Sequence, residues 1–359
     1  MRVVTILGTR PEIIRLSRVI PVLDGQCDQV VVHTGQNFEP SLRDVFFAEL
    51  GLRPPDHALD ARGETPAALL AAILSGVEPV LEAVRPDRVL ILGDTTSALS
   101  AIVARQLGIP VLHMEAGNRC YDDRVPEELN RRIVDHASSV LLPYTERSRD
   151  NLRREGIAAE RIHVTGNPIL EVLEHYGDRI DASDALDRLG LARGGFLLAT
   201  LHRAENVDDP ARLGSFLDAF ERLHAELGLA IVWSIHPRTR SRLETSGRAM
   251  PRGVRAVDPL GLFDFVRLER DARCVLTDSG TVQEECCIGR IPSVTLRDVT
   301  ERPETLDVGS TVLTGADPAA IVAAVVAATA TTSDWTPPPE YLARTVSATV
   351  ARLVLGPMP

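Results

Sequence analysis

Carboxylates, arginines and histidines in this chain collect where short apolar runs end. Asp94 follows Arg88 to Leu92, Glu115 follows Val111 to Met114, and Glu128 opens a helical pattern that begins at Pro126. Three carboxylates around one point raise one another's proton affinity, which suits a site that moves protons at neutral pH. His202, followed by Arg203, ends another run and offers an imidazole beside a permanent positive charge, while His236 ends a further one. Arg10 follows Gly8-Thr9, so a turn presents a planar guanidinium able to take two phosphate oxygens at once. Asp278-Ser279-Gly280 hands a buried run, Val275 to Thr277, to a helix start. Gly280 lets the backbone approach a ligand, and the free N–H groups of a first helical turn favour phosphate. Glu284 and Glu285, one turn further, would repel a phosphate; a carboxylate reaching past it to ribose hydroxyls removes the contradiction. Each segment equally fits a plain helix start, with Asp or Ser as N-cap and acids complementing the dipole.

Such residues act together only if a sheet lines up the strand ends that carry them. Val3 to Leu7, Asp28 to Thr34, Arg88 to Leu92, Val111 to Met114, Val140 to Leu142 and Ile162 to Val164 read as strands alternating with helices. The pattern then resets with Phe196 to Thr200, Ala230 to Ile235, Val254 to Val257, Cys274 to Thr277, Ser293 to Leu296 and Thr311 to Leu313. This alternation predicts an α/β chain of two doubly wound parallel sheets, with ligands at their carboxyl ends. The boundary is placed at Asn167-Pro168, giving domains 1–167 and 168–339. A last helical stretch, Glu340 to Leu355, follows Pro337-Pro-Pro339, and residues from about 340 to 359 are expected to pack back on the first domain.

At 359 residues the chain exceeds one comfortable core. A formal net charge of −11 argues against a nucleic-acid surface. No uninterrupted apolar run approaches membrane-spanning length and no signal pattern opens the chain, so no membrane partner and a cytoplasmic location are expected. The five cysteines have no metal-ligand or redox spacing, and no structural disulfide is expected. All 39 basic residues are arginine. The absence of lysine excludes Schiff-base catalysis, pyridoxal phosphate attachment and a P-loop lysine.

In order along the chain stand Gly8-Thr-Arg-Pro-Glu12, Gly93-Asp-Thr-Thr96, His113-Met-Glu-Ala-Gly117, Pro126-Glu-Glu128 with Asn130-Arg131, His202-Arg203, Asp278-Ser-Gly280 with Glu284-Glu285, and Glu301-Arg-Pro-Glu304. Together they resemble the non-hydrolysing UDP-N-acetylglucosamine 2-epimerase family, from Gly8 to past Glu304. The resemblance implies a glycosyltransferase-B-like fold of two Rossmann-like domains with the active site in the interdomain cleft. It also implies interconversion of UDP-GlcNAc and UDP-ManNAc by loss of UDP to a glycal and re-addition, without nicotinamide cofactor or metal. By that resemblance Asp94, Glu115 and Glu128 are acid/base candidates, and His202 lies beside the phosphate and leaving group. Arg10 holds the diphosphate, Ser279 and Gly280 take phosphate oxygens, Glu285 takes ribose hydroxyls and Arg302 steadies departing charge. Arg15, Arg119, Asn130, Arg131 and His236 complete the substrate-binding set. Relatives are commonly homodimers.

Three segments depart from the family pattern. Arg15 stands where many members carry lysine, which keeps the charge but changes its reach. Asn118-Arg-Cys-Tyr-Asp-Asp-Arg124 looks closer to relatives that form UDP-N-acetyl-L-fucosamine. Gly35-Gln-Asn-Phe38 and His236-Pro-Arg-Thr-Arg240 differ from segments that build a second, activating UDP-sugar site in some members, and that site is not carried over. Alternative readings are thus a 2-epimerase of a 6-deoxy UDP-sugar, or a glycosyltransferase on the same architecture. The carboxylate cluster favours the isomerase.

Overall fold

A computed structural model describes residues 1–36 and 46–358; Asn37 and Phe38 lie outside them. The chain divides into two compact units, Met1–Glu174 with Pro339–Pro359, and His175–Pro338. The first division falls within the helix Ile169–His175 that follows Asn167-Pro168.

In the first unit, apolar runs with little polar alternation become strands buried on both faces, as parallel sheets require. They are β1 (Arg2–Leu7), β2 (Asp28–His33), β4 (Arg88–Leu92), β5 (Val111–Met114) and β6 (Val140–Leu142), joined at one edge by the more exposed two-residue β3 (His57–Ala58). Among the described residues they pair in the order β3-β2-β1-β4-β5-β6, all parallel. Val4, Ile6, Val89, Ile91 and Val111 form one core face against the helices Pro66–Val84 and Ala101–Gln106. Pro66–Val84 is long and apolar enough to cross a membrane by length and composition alone. It nonetheless carries Glu78 and Glu82, and it buries Ile73, Val77, Val80 and Leu81 in this core. Alanines on its outer face supply much of the remaining hydropathy.

The sheet's sixth strand is His57–Ala58, not Ile162 to Val164 as expected. Ile162 makes only an isolated parallel bridge to Leu141. The C-terminal segment returns to this unit. Asn167 N–H donates to the Glu340 carbonyl at 2.9 Å, Ser347 N–H donates to Glu171 at 2.9 Å, and buried Arg88 caps the Val354 carbonyl.

The second unit repeats the plan with β7 (Phe196–Thr200), β8 (Ala230–Ser234), β9 (Val254–Val257), β10 (Cys274–Thr277) and β11 (Ser293–Thr295). The order is β11-β10-β7-β8-β9, again all parallel. Thr311 to Leu313 falls short of a strand and leaves a single bridge, Leu313 to Thr295. Buried Trp233 packs edge-on against Phe220 at 5.5 Å in this core. Cys274, Cys286 and Cys287 are fully buried, and all five cysteines are free thiols. In both units strand order reverses beside the first strand, between β1 and β4 and between β7 and β10. Open α/β sheets leave their ligand crevice at such points.

Candidate active site

Around the first crevice the chain brings together residues from four strand ends. After β1, Gly8 turns so tightly that a Cβ there would lie 2.1 Å from Ser97 Oγ and 2.2 Å from Thr34 Oγ1. Thr9 then caps the helix Arg10–Leu16, and Glu12 closes a capping box. Glu12 is buried and accepts Gly8 N–H at 3.0 Å, Thr9 N–H at 2.7 Å and the Thr9 hydroxyl at 2.7 Å. Its other oxygen accepts the Thr95 hydroxyl at 3.0 Å, tying this turn to the one that carries Asp94. Burial outweighs those bonds and pushes Glu12 up to about 7. Arg10, the first residue of that helix, lies half-buried with its guanidinium 5.4 Å from the Phe46 ring centre.

Each of the three expected carboxylates meets an arginine. Glu115 directly follows β5 and holds φ at 65°, a left-handed conformation that costs a non-glycine residue about 1–3 kcal/mol. Its carboxylate forms a buried ion pair with Arg15, accepts Asn118 Nδ2 at 3.3 Å, and lies 3.4 Å from the Tyr144 hydroxyl. The Arg15 guanidinium sits 5.6 Å from the centre of the Tyr144 ring. Arg131 bridges the other two carboxylates, donating to Asp94 at 2.6 and 3.1 Å and to Glu128 at 2.9 Å. Glu128 also accepts Cys120 N–H at 3.0 Å, Tyr121 N–H at 3.2 Å and Arg132 at 2.9 Å.

This changes the electrostatic expectation. Burial opposes the charge on Glu128, yet the Cys120 N–H and the Arg131 charge outweigh it and hold this carboxyl below its usual range. Crowded carboxylates were expected to raise one another; at Glu128 the arginine charge lowers the carboxyl instead.

Other expected residues take supporting positions. Arg119 spends its donors inside the unit, on the Asn118 carbonyl at 2.7 Å, Asp135 at 2.7 Å and Glu155 at 2.5 and 2.8 Å. It therefore braces the Glu115 loop from within the unit. Asn130 is half-buried on the helix Pro126–Ala137. Sequence reading missed the brace itself: buried His113 bridges Gly93 O at 2.8 Å and Asp135 Oδ1 at 2.9 Å. The ring thus joins the Asp94 turn to the helix bearing Glu128. Its one sequence signal was a histidine on an otherwise apolar strand.

The second unit's crevice is built differently. Asp278, fully buried after β10, accepts His202 N–H and Arg203 N–H at 2.9 Å each and Asn206 Nδ2 at 3.1 Å. Its Oδ1 lies 3.0 Å from His202 Nδ1, so this carboxylate orients the imidazole that was expected to act. Burial opposes its charge, but the His202 ring and these N–H groups hold Asp278 well below the ordinary carboxylate range. The His202 side chain stays 44% exposed, open to a ligand. His236 caps the helix Pro237–Ser246, its ring centre 6.3 Å from that of His202.

Ser279 stands at the N-cap position of the helix Gly280–Gly289 without a side-chain cap bond, and the first N–H groups of that helix are the expected phosphate donors. A Cβ on Gly280 would come within 2.8 Å of Glu301 Oε1 and 3.7 Å of Arg302 Cζ, which places both side chains against this helix start. Arg302 is buried and ion-paired with Glu284, and Arg297 donates to Glu301 at 2.8 Å. Glu285, 4% exposed, occupies the same helix.

The whole chain is similar to known proteins. Residues 23–354 match the family model described as UDP-N-acetylglucosamine 2-epimerase. A Methanocaldococcus jannaschii protein named UDP-N-acetylglucosamine 2-epimerase is 39% identical over 334 residues, covering 90% of this chain and 91% of that one. A Pseudomonas aeruginosa protein named UDP-2,3-diacetamido-2,3-dideoxy-D-glucuronate 2-epimerase is 38% identical over 322 residues, covering 88% of this chain and 89% of its own. The crystal structure of the M. jannaschii UDP-GlcNAc 2-epimerase in complex with UDP-GlcNAc and UDP superposes with a TM-score of 0.92 at 36% identity, covering 99% of each chain.

Proposed function

The chain belongs to the UDP-N-acetylglucosamine 2-epimerase family, and we propose that it inverts C2 of UDP-GlcNAc to give UDP-ManNAc. The observation that carries this reading is the cluster of arginine-paired carboxylates at the first unit's strand ends. Losing a proton from C2 while UDP departs needs a carboxylate base near carbon and positive charge near phosphate. Asp94, Glu115 and Glu128 supply the carboxylates. Arg15 pairs with Glu115 and holds it in place, and Arg131 does the same for Asp94 and Glu128.

In this proposal the second unit holds the leaving group. Ser279 and the Gly280 N–H take phosphate oxygens and Glu285 the ribose hydroxyls. His202, set by Asp278, faces the bridging phosphate oxygen as UDP leaves and returns, while Arg10 grips the diphosphate from the first unit. Arg302 supports the helix start through Glu284. A transferase would need an acceptor where the carboxylates stand. The name of the P. aeruginosa relative makes the acetamido sugar the point to test.

Incubation with UDP-GlcNAc in deuterated water tests the proposal. Deuterium at C2 together with UDP-ManNAc is the expected result. Free UDP without C2 exchange, or no change, would overturn it for this sugar. UDP-linked 6-deoxy and diacetamido-uronate sugars, run in parallel, rank the substrates.

A further inference from the structure

Glu12 is 1% exposed beside the crevice of the first unit, yet the chemistry proposed above gives it no part. Capping the helix Arg10–Leu16 does not account for both of its oxygens. One of them, Oε2, meets that need alone, accepting Gly8 N–H, Thr9 N–H and the Thr9 hydroxyl at 2.7–3.0 Å. The other, Oε1, crosses to the turn after β4 and accepts the Thr95 hydroxyl at 3.0 Å. Burying a carboxyl is costly unless its oxygens are matched, and here each oxygen is matched by a different turn.

The same strand ends are laced by neutral groups as well. Thr34, directly after β2, and Ser97, in the turn after β4, hold their hydroxyl oxygens 2.7 Å apart. Gln36 Oε1 accepts Ser97 N–H at 3.0 Å and the Ser97 hydroxyl at 2.8 Å. Gly8 fits against Thr34 and Ser97 because it has no side chain. The turns after β1, β2 and β4 are thus packed as one block. Arg10 stands two residues before Glu12, and Asp94 directly precedes Thr95.

We propose that Glu12 is a positioning residue for the epimerisation: through Thr95 it holds the Arg10 turn, which grips the diphosphate, in register with the Asp94 turn, which works on C2. The inference rests on the roles given above to Arg10 and Asp94. Elimination takes the C2 proton and breaks the bond from C1 to the phosphate oxygen, leaving glycal and UDP side by side. Re-addition needs that oxygen and the acid/base groups at their original separation, and a misplacement of about 1 Å costs on the order of a hundredfold in rate. A grip that drifts from Asp94 lets UDP and glycal escape.

Thr95→Val tests this, since it keeps the shape of Thr95 and every bond to Glu12 Oε2 while removing the cross-tie. The Thr95 hydroxyl also accepts Ala98 N–H at 3.3 Å, so Glu12→Leu, which leaves that bond alone, forms a second arm. Turnover by C2 deuterium exchange, UDP affinity by calorimetry and free UDP released per epimer formed are measured on each variant. Thr95→Val should turn over about 10–100-fold more slowly, bind UDP within about twofold of wild type and release more UDP per epimer. Glu12→Leu should match it; if that variant does not fold, Thr95→Val decides. Thr95→Ser and Glu12→Gln should restore all three quantities, because each keeps a polar partner across the tie.

A tie that serves only stability would lower the urea midpoint of Thr95→Val and leave its turnover and UDP release unchanged. That result, or a loss in Thr95→Ser as large as in Thr95→Val, would overturn the proposal. Wild-type turnover in Asp94→Asn, or unchanged UDP affinity in Arg10→Ala, would instead sink the roles on which it rests.

Discussion

The two units share one sheet plan and, in the proposed function, use its carboxyl edge for opposite purposes. In that reading side chains carry the function of the first: three carboxylates and two arginines alternate, each carboxylate within hydrogen-bonding range of an arginine. In the second, the backbone of a helix start does most of the work, and charged side chains are held to orient it or the adjacent His202. Carboxylates that must take and return protons need partners that fix geometry without burying the reactive edge. A diphosphate site needs N–H groups, which any helix start supplies once glycine opens it. One fold thus supplies a proton-moving edge and an anion-binding edge, and the side chains after each strand decide which.

The largest expected effect breaks the first edge. Asp94→Asn keeps shape and hydrogen bonding but cannot accept a proton, so turnover should fall about 10²–10⁴-fold while UDP affinity is kept. C2 deuterium exchange measures it, and near wild-type exchange would make Asp94 structural.

Next comes the ion pair beneath Glu115. Arg15→Ala leaves a buried carboxylate unmatched, a loss of about 3–5 kcal/mol. Urea unfolding should show it, and a shift below about 1 kcal/mol would mean that water replaces the guanidinium.

A smaller effect belongs to the anion edge. Arg10→Ala removes a charged donor to the diphosphate and should weaken UDP binding by about 1.5–3 kcal/mol, read by calorimetry.

The smallest and most diagnostic effect is a difference of sign with pH. Glu12, raised to about 7, favours the fold in its protonated form. Its contribution is complete below about 4.5 and is lost as pH rises through about 7. Asp278, lowered instead, contributes above the unfolded value of roughly 4, and that contribution is lost as pH falls. Relative to wild type, the urea midpoint of Glu12→Gln should therefore rise as pH climbs from about 4.5 through about 7, whereas that of Asp278→Asn should fall as pH climbs toward roughly 4. Parallel profiles would refute this electrostatic contrast.

The strand ends that carry the site could be read from sequence because buried parallel strands appear as short apolar runs and the next polar residue stands out. His57–Ala58 could not, since two residues carry no period and the strand exists only because His33 and Val32 offer it an edge. Ile162 and Leu313 looked like strands but find only one bridge each. Residue types gave Asp94, Glu115 and Glu128 as a group. Their partners were hidden, because Arg15 with Glu115 and Arg131 with Asp94 are pairings across long stretches of chain. Distance in sequence likewise concealed His113 with Asp135 and His202 with Asp278.

The division of labour between the edges is tested most directly by one paired measurement on Glu115→Gln and Glu285→Ala: turnover by C2 deuterium exchange and UDP affinity by calorimetry, on the same preparations. The account predicts a crossover. Glu115→Gln should lose about 10²–10⁴-fold in turnover at near wild-type UDP affinity, and Glu285→Ala should lose UDP affinity by about 1.5–3 kcal/mol with a far smaller loss in turnover at saturating substrate. Equal losses of both quantities in both variants, or a Glu115→Gln enzyme that still exchanges C2 at the wild-type rate, would contradict it.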